Sequence, residues 1–207
     1  IENSTPGNWV QANFFLGNEF GWMQRDSIQF LDDIFNNVEF KHSGVQLIEQ
    51  QTIFRVESAG YDDLNYAIIF INSSPVSTAT RGHNIAVCDQ YGNFIEFQKF
   101  DTYDSQEDVA AMVNFLNNIP ESYYVLVGIM DSAEKLMTEE AYQALESIGS
   151  QYCRNVGFRD SWAIIGKKGA AIGSVPEKLV KRYEGVAIVQ DTVTTYKTEG
   201  YLFSDVI

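Results

Sequence analysis

Beyond about residue 50, apolar positions recur in short runs rich in β-branched and aromatic residues, each bounded by turn formers. Residues 52–56, 66–72, 84–89 and 94–100 read as strands on that pattern. The last two are separated by QYGN, whose Gly92-Asn93 step marks a hairpin, so this part of the chain begins antiparallel. The period then changes. Val109, Met112, Val113 and Leu116 form one helical stripe that Asp104 or Ser105 can cap, with Glu107 completing a capping box to Asp104 and Pro120 ending the helix. A helix with a single apolar face lies on a sheet. Residues 123–130 are continuously apolar, as a strand covered on both faces must be, and DSAEKLM after them reads as a short turn of helix. Thr138 caps a further helix that closes at Gly149. Residues 161–166 predict another buried strand and 184–190 a later one.

The first 50 residues have a different texture, dense in aromatics and amides. Ile28, Leu31, Ile34, Phe35 and Val38 recur at helical spacing and predict a helix over about 27–37. The expected fold is mixed α/β: compact, sandwich-like β-sheets lined by short helices, with an N-terminal extension. The expected division is an attachment that contacts partners over 1–50, the main domain over 51–191 and a tail over 192–207.

Composition narrows the partners. With 207 residues and 45% hydrophobic side chains the chain can bury one good core. Its 14 basic against 28 acidic residues give a net charge of −14. That balance argues against nucleic acid held through its phosphates and against an acidic membrane surface. No window approaches the roughly 18 uninterrupted apolar residues of a membrane span, so no membrane insertion is expected. The chain begins at Ile1 without a basic or apolar leader, which suits a processed product or part of a longer chain. Cys88 and Cys153 share no metal or redox spacing and read as two free, buried or half-buried thiols. Asn3-Ser4-Thr5 and Asn72-Ser73-Ser74 match the N-glycosylation pattern, one that an asparagine-rich chain produces freely.

Catalytic chemistry finds little footing. There is no G-x-S-x-G, the histidines are only His42 and His83, and GKKGAAIG lacks the order of a phosphate loop. Pairs such as Asp62 with Asp63 or Asp101 with Asp104 read as solvated surface in a chain with 28 acidic residues. No catalytic residue, metal site or cofactor is expected. What remains is a constellation at strand ends: Asp131 after YYVLVGIM, and Arg159 with Asp160 between Phe158 and Trp162. If the two buried strands are near neighbours, a carboxylate, a planar fork of donors and an aromatic face share one patch, the mixture that holds sugars. The competing reading is a structural clamp in which Arg159 pairs with Asp131, Asp160 or Asp101.

RVESAGYDD, RGHNIAVCD, FDTYDS, YYVLVGIMDSA, ALESIGS and VGFRDSWAIIGKKGAA, taken in order over about 53–190, closely resemble the interleukin-like EMT inducer domain, also called the GG domain. That family occurs in secreted cytokine-like proteins, in the stem of protein O-mannose β-1,2-N-acetylglucosaminyltransferase, in hyaluronan-related cell-surface proteins and in the hinge connector of long tail fibres of T-even-type bacteriophages. The resemblance implies a sandwich of β-sheets lined by helices. It also implies, from the transferase stem, a lectin site for β-linked N-acetylglucosamine whose aspartate and arginine fall on Asp131 and Arg159. Cys88 and Cys153 do not reproduce the disulfide cysteines of the cytokine-like members. With the amide-rich N-terminus and the acidic charge, this makes the phage hinge connector nearest in character. The expected function is therefore a non-enzymatic virion structural protein of a phage tail, docking to neighbouring fibre or baseplate chains. The alternative is a secreted, extracellular module that binds glycans through Asp131 and Arg159, with Phe158, Asp160 and Trp162 beside them.

Overall fold

The computed structural model describes the backbone of residues 2–4, 9–12, 16–18, 21–23, 26–31 and 39–206, and the side chains of residues 48–197. The chain divides into two compact units, residues 1–50 with 196–207, and residues 51–195. In the first unit β1 (Glu2–Ser4), β2 (Trp9–Ala12) and β5 (Asp26–Leu31) pair antiparallel in that order, and β3 (Leu16–Asn18) pairs with β4 (Gly21–Met23). The helix expected over 27–37 is corrected here. Its first part is strand β5, and residues 32–37 lie outside the described residues. Ile28 and Phe30 alternate with Ser27 and Gln29, so over six residues a period of two fits as well as 3.6, and paired neighbours on both sides decide for the strand.

Two long strands have residues in both units: β6 (Glu39–Gly60), which also pairs β5, and β14 (Ala187–Val206). In the second unit β6 pairs β7 (Tyr66–Ile71) and β14, and β7 pairs the two-residue β8 (Ser74–Pro75). Behind them β9 (Gly82–Cys88) lies between β10 (Phe94–Phe100) and β11 (Tyr124–Asp131); β11 then pairs β12 (Ser161–Lys167), and β12 pairs β13 (Glu177–Val180). The helices are α1 (Gln106–Asn117) and α2 (Glu139–Glu146). Ser105 caps α1 by accepting from Asp108 N–H, and Thr138 caps α2 through Ala141 N–H. Residues 131–137 form no helix, contrary to the expectation for DSAEKLM, and β13 was not foreseen. The strand expected at 184–190 starts at Ala187 and continues to Val206.

β9, β11 and β12 are buried on both faces, as the continuous apolar runs of β11 and β12 require, and β9 buries His83 and Asn84 with its apolar residues. One face carries Ile85, Val87, Val125, Val127, Ile129, Trp162 and Ile164 against Val109, Met112 and Leu116 of α1 and Leu145 of α2. The other carries Ala86, Leu126, Ala163 and Ile165 against Phe54, Val56, Ile69 and Ile71, with Ala187 and Val189 from β14. The architecture of residues 51–195 is thus helices on a sheet, backed by a second sheet layer. Cys88 and Cys153 are both buried and free, and burial pushes the Cys88 thiol up to about 12.

Candidate functional site

The ends of β6 and β11 and the loop before β12 converge. Asp131 closes β11 and pairs in parallel with Gly60, the last residue of β6. A Cβ on Gly60 would come within 2.0 Å of the Arg159 carbonyl oxygen, so only glycine allows the two backbones this close. Buried hydroxyls stitch the seam. Ser58 Oγ donates to Ile129 O and accepts from Trp162 N–H, while Ser161 Oγ accepts from Gly60 N–H and donates to Gly185 O.

From this seam the turn at residues 61–65 projects outward, with Tyr61 N–H donating to Asp131 O. Its two carboxylates grip the later chain. Asp62 accepts from Arg159 Nη1 at 3.1 Å and from Arg182 Nε at 2.6 Å, and Asp63 accepts from Tyr183 N–H and Gly185 N–H. Burial alone would raise the Asp62 carboxyl, but the two guanidiniums outweigh it and hold it below the usual carboxylate range.

The side chains so placed form a ladder. The Arg159 guanidinium lies 4.3 Å from the centre of the Tyr61 ring and 4.8 Å from that of Phe158. Arg182 lies 5.3 Å from Phe158 and 4.5 Å from Tyr183. Tyr61, Arg159, Phe158, Arg182 and Tyr183 therefore alternate ring and cation, with Asp62 shared behind the cations. Tyr103 extends the row, 6.2 Å from Phe158 and approached by Arg81 and Lys135. Tyr61, Phe158 and Tyr183 are 50%, 44% and 69% exposed, so open aromatic faces remain.

Two groups here have unused hydrogen-bonding capacity. Arg159 Nε is buried and unpartnered among the described residues. The Asp131 carboxylate accepts no hydrogen bond from them, although its charge acts on both Arg81 and Arg159. Backbone strain gathers at the same place. Leu64, Asn65, Asp131, Arg159 and Tyr183 all have positive φ, each costing on the order of 1–3 kcal/mol. Such strain persists where surrounding contacts over-determine it.

Of the five residues singled out in the sequence, Arg159 and Phe158 stand in the ladder and Asp131 borders it. Asp160 and Trp162 do not belong to the surface. Asp160 is 4% exposed and binds Gly157 N–H, Lys181 Nζ and Arg182 N–H, which fixes the loop. Trp162 is fully buried, its indole N–H donating to Glu177. Arg159 pairs with Asp62, none of the three partners foreseen for a clamp. Tyr61, Asp62, Tyr103, Arg182 and Tyr183 were missed as site residues. The adjacent Asp62-Asp63 pair was visible, but reads as solvated surface unless the later chain is known to fold over it. Among the described residues no group of three His, Cys, Asp or Glu could hold a metal ion, and no helix is long and apolar enough to cross a membrane.

Comparison with known proteins finds relatives of this domain. Residues 81–170 match the interleukin-like EMT inducer family. Mouse protein FAM3D is 31% identical over 133 residues, covering 62% of this chain and 59% of that protein. Human protein FAM3D is 37% identical over 120 residues, covering 54% and 53%. The mouse cell migration-inducing and hyaluronan-binding protein is 29% identical over 100 residues, 48% of this chain and 7% of that protein. The chain spans less than two thirds of the length of these relatives. These are mammalian proteins, which overturns the expected virion structural protein, its fibre and baseplate partners and its place in a phage tail. That expectation leaned on cysteine positions, the amide-rich N-terminus and the acidic charge; Cys88 and Cys153 are buried, free core residues here.

Proposed function

We propose that this chain, whose residues 81–170 form an interleukin-like EMT inducer domain, acts outside the cell as a non-enzymatic recognition and signalling module. Its Tyr61–Arg159–Phe158–Arg182–Tyr183 face engages a glycan containing β-linked N-acetylglucosamine. The ladder is the observation that carries this reading. Open rings offer apolar faces to the C–H side of a pyranose, and the guanidiniums, already stacked and tethered to Asp62, lose little freedom on binding. Asp131, at the end of β11 beside the ladder, adds a carboxylate that could accept from a sugar hydroxyl. One relative is named for binding hyaluronan, a polymer that contains that same sugar.

Calorimetric titration of the full chain with chitotriose and hyaluronan oligosaccharides tests the reading. Arg159→Lys keeps the charge and the stem but removes the fork, and it should weaken binding at least tenfold, about 1.4 kcal/mol, with the melting temperature little changed. Equal affinity in both proteins would reduce Arg159 to a clamp.

A further inference from the structure

The outer face of β6, β7 and β14 holds a cavity of about 280 Å³ lined by Ile53, Arg55, Phe70, Ser73 and Gln190. That is near the lower end of small-ligand pockets. Arg55 is fixed there, its Nε on Glu57 and its Nη1 on Gln190. At the rim the hairpin from β7 to β8 turns at Asn72-Ser73, with Phe70 opposite Pro75 and Ile71 opposite Ser74. Both turn residues have positive φ, 49° and 67°, the form of a type I′ turn, and residues 72–74 are exposed.

These residues are the sequon Asn72-Ser73-Ser74. The Asn72 side chain uses only its oxygen, Oδ1 accepting from Ile53 N–H at 2.9 Å. Its amide nitrogen has no hydrogen bond among the described residues. Ile53, whose N–H the Asn72 side chain holds, and Ser73, the next residue of the turn, both line the cavity together with Phe70. A group leaving Asn72 Nδ2 therefore begins at the rim of a cavity whose lining includes Phe70 and Arg55, while Oδ1 keeps its bond to the backbone.

We infer that Asn72 is an N-glycosylation site and that the first sugar of its glycan lies in this cavity against Phe70. In the transfer, Nδ2 forms a bond to the anomeric C1 of N-acetylglucosamine carried on a lipid diphosphate. The C1–O bond breaks, the lipid diphosphate leaves with the bonding electrons, and one amide proton passes to a base. The inference rests on the extracellular reading, since the modification belongs to the secretory route. Its cavity is on a different surface from the ladder.

The full chain, placed behind a cleavable secretion leader and carrying Asn3→Gln to remove the other sequon, is produced in animal cells. Intact mass before and after peptide-N-glycosidase should show one N-glycan, absent in Asn72→Gln. The glycosylated protein should melt about 2–4 °C above the unmodified bacterial product, and Phe70→Ser should abolish that gap. A secreted, folded chain unmodified at Asn72 overturns the inference and leaves the extracellular reading standing. A chain retained in the cell with Asn72 occupied does the reverse. An occupied Asn72 with no gap in melting temperature overturns the placement of the sugar in the cavity.

Discussion

His83 should make this fold acid-sensitive well above the range in which carboxylates titrate. The ring is buried, edge-on to Trp162 with centroids 5.9 Å apart, and its Nδ1 lies 2.7 Å from Thr102 Oγ1. Thr102 donates its own proton to Ala133 O, so it must accept from Nδ1–H, which sets the neutral tautomer. Burial lowers the imidazole from 6.5 to about 3. A depressed folded value means that the unfolded chain binds the proton first. Stability is therefore intact above pH 6.5 and falls as the pH drops toward 3. With those two values the loss is about 2 kcal/mol at pH 5 and approaches about 5 kcal/mol at the acid limit. Urea unfolding at pH 8 and pH 5 measures it. His83→Gln retains a donor toward Thr102 but cannot titrate, so the pH 8 to pH 5 difference should be about 2 kcal/mol smaller in the variant. Equal pH dependence in the two proteins, or an imidazole resonance that moves near pH 6.5 and disappears in His83→Gln, would refute the reasoning.

Gly60→Ala places a methyl group 2.0 Å from the Arg159 carbonyl oxygen, backbone against backbone. It should cost at least about 3 kcal/mol in denaturant unfolding, or abolish soluble expression. Lys168 donates from Nζ to Leu116 O at the end of α1 and to Ser147 Oγ at the end of α2. Lys168→Met keeps the stem and leaves both acceptors without that donor, a loss of about 1–3 kcal/mol readable as a lower melting temperature. Asp62→Asn removes the charge shared by Arg159 and Arg182. Hydrogen exchange should quicken over residues 181–185, while α1 and α2 keep their protection.

The layers of the second unit were legible because their chemistry is local. Continuous apolar runs at 123–130 and 161–166 read as strands covered twice, 84–89 reads as one strand of a hairpin, and a stripe such as Val109, Met112 and Leu116 reads as a helix facing a sheet. Thr138 likewise announces the start of one helix, whereas that helix is capped at Ser147, two residues before the Gly149 expected to close it. The 27–37 region failed because short amphipathic runs satisfy both periods until partner strands decide. The site was half legible. Arg159 and Asp131 stand beside buried strands and invite a question, but Asp62 lies 97 residues from Arg159, and no spacing rule joins them. Trp162 shows the opposite error: an aromatic beside a charged pair looks like a sugar platform until the strand alternation turns it inward, where Glu177 takes its N–H.

The ladder carries the functional reading, and amide chemical-shift mapping tests it most directly. Chitotriose is titrated into isotope-labelled full chain and the perturbed amides are assigned. The account predicts saturable shifts confined to residues 61–63, 103, 131, 158–159 and 182–185, and their loss in Arg159→Lys. Absence of any shift at millimolar sugar, or shifts centred away from Tyr61, Phe158 and Tyr183, would contradict it.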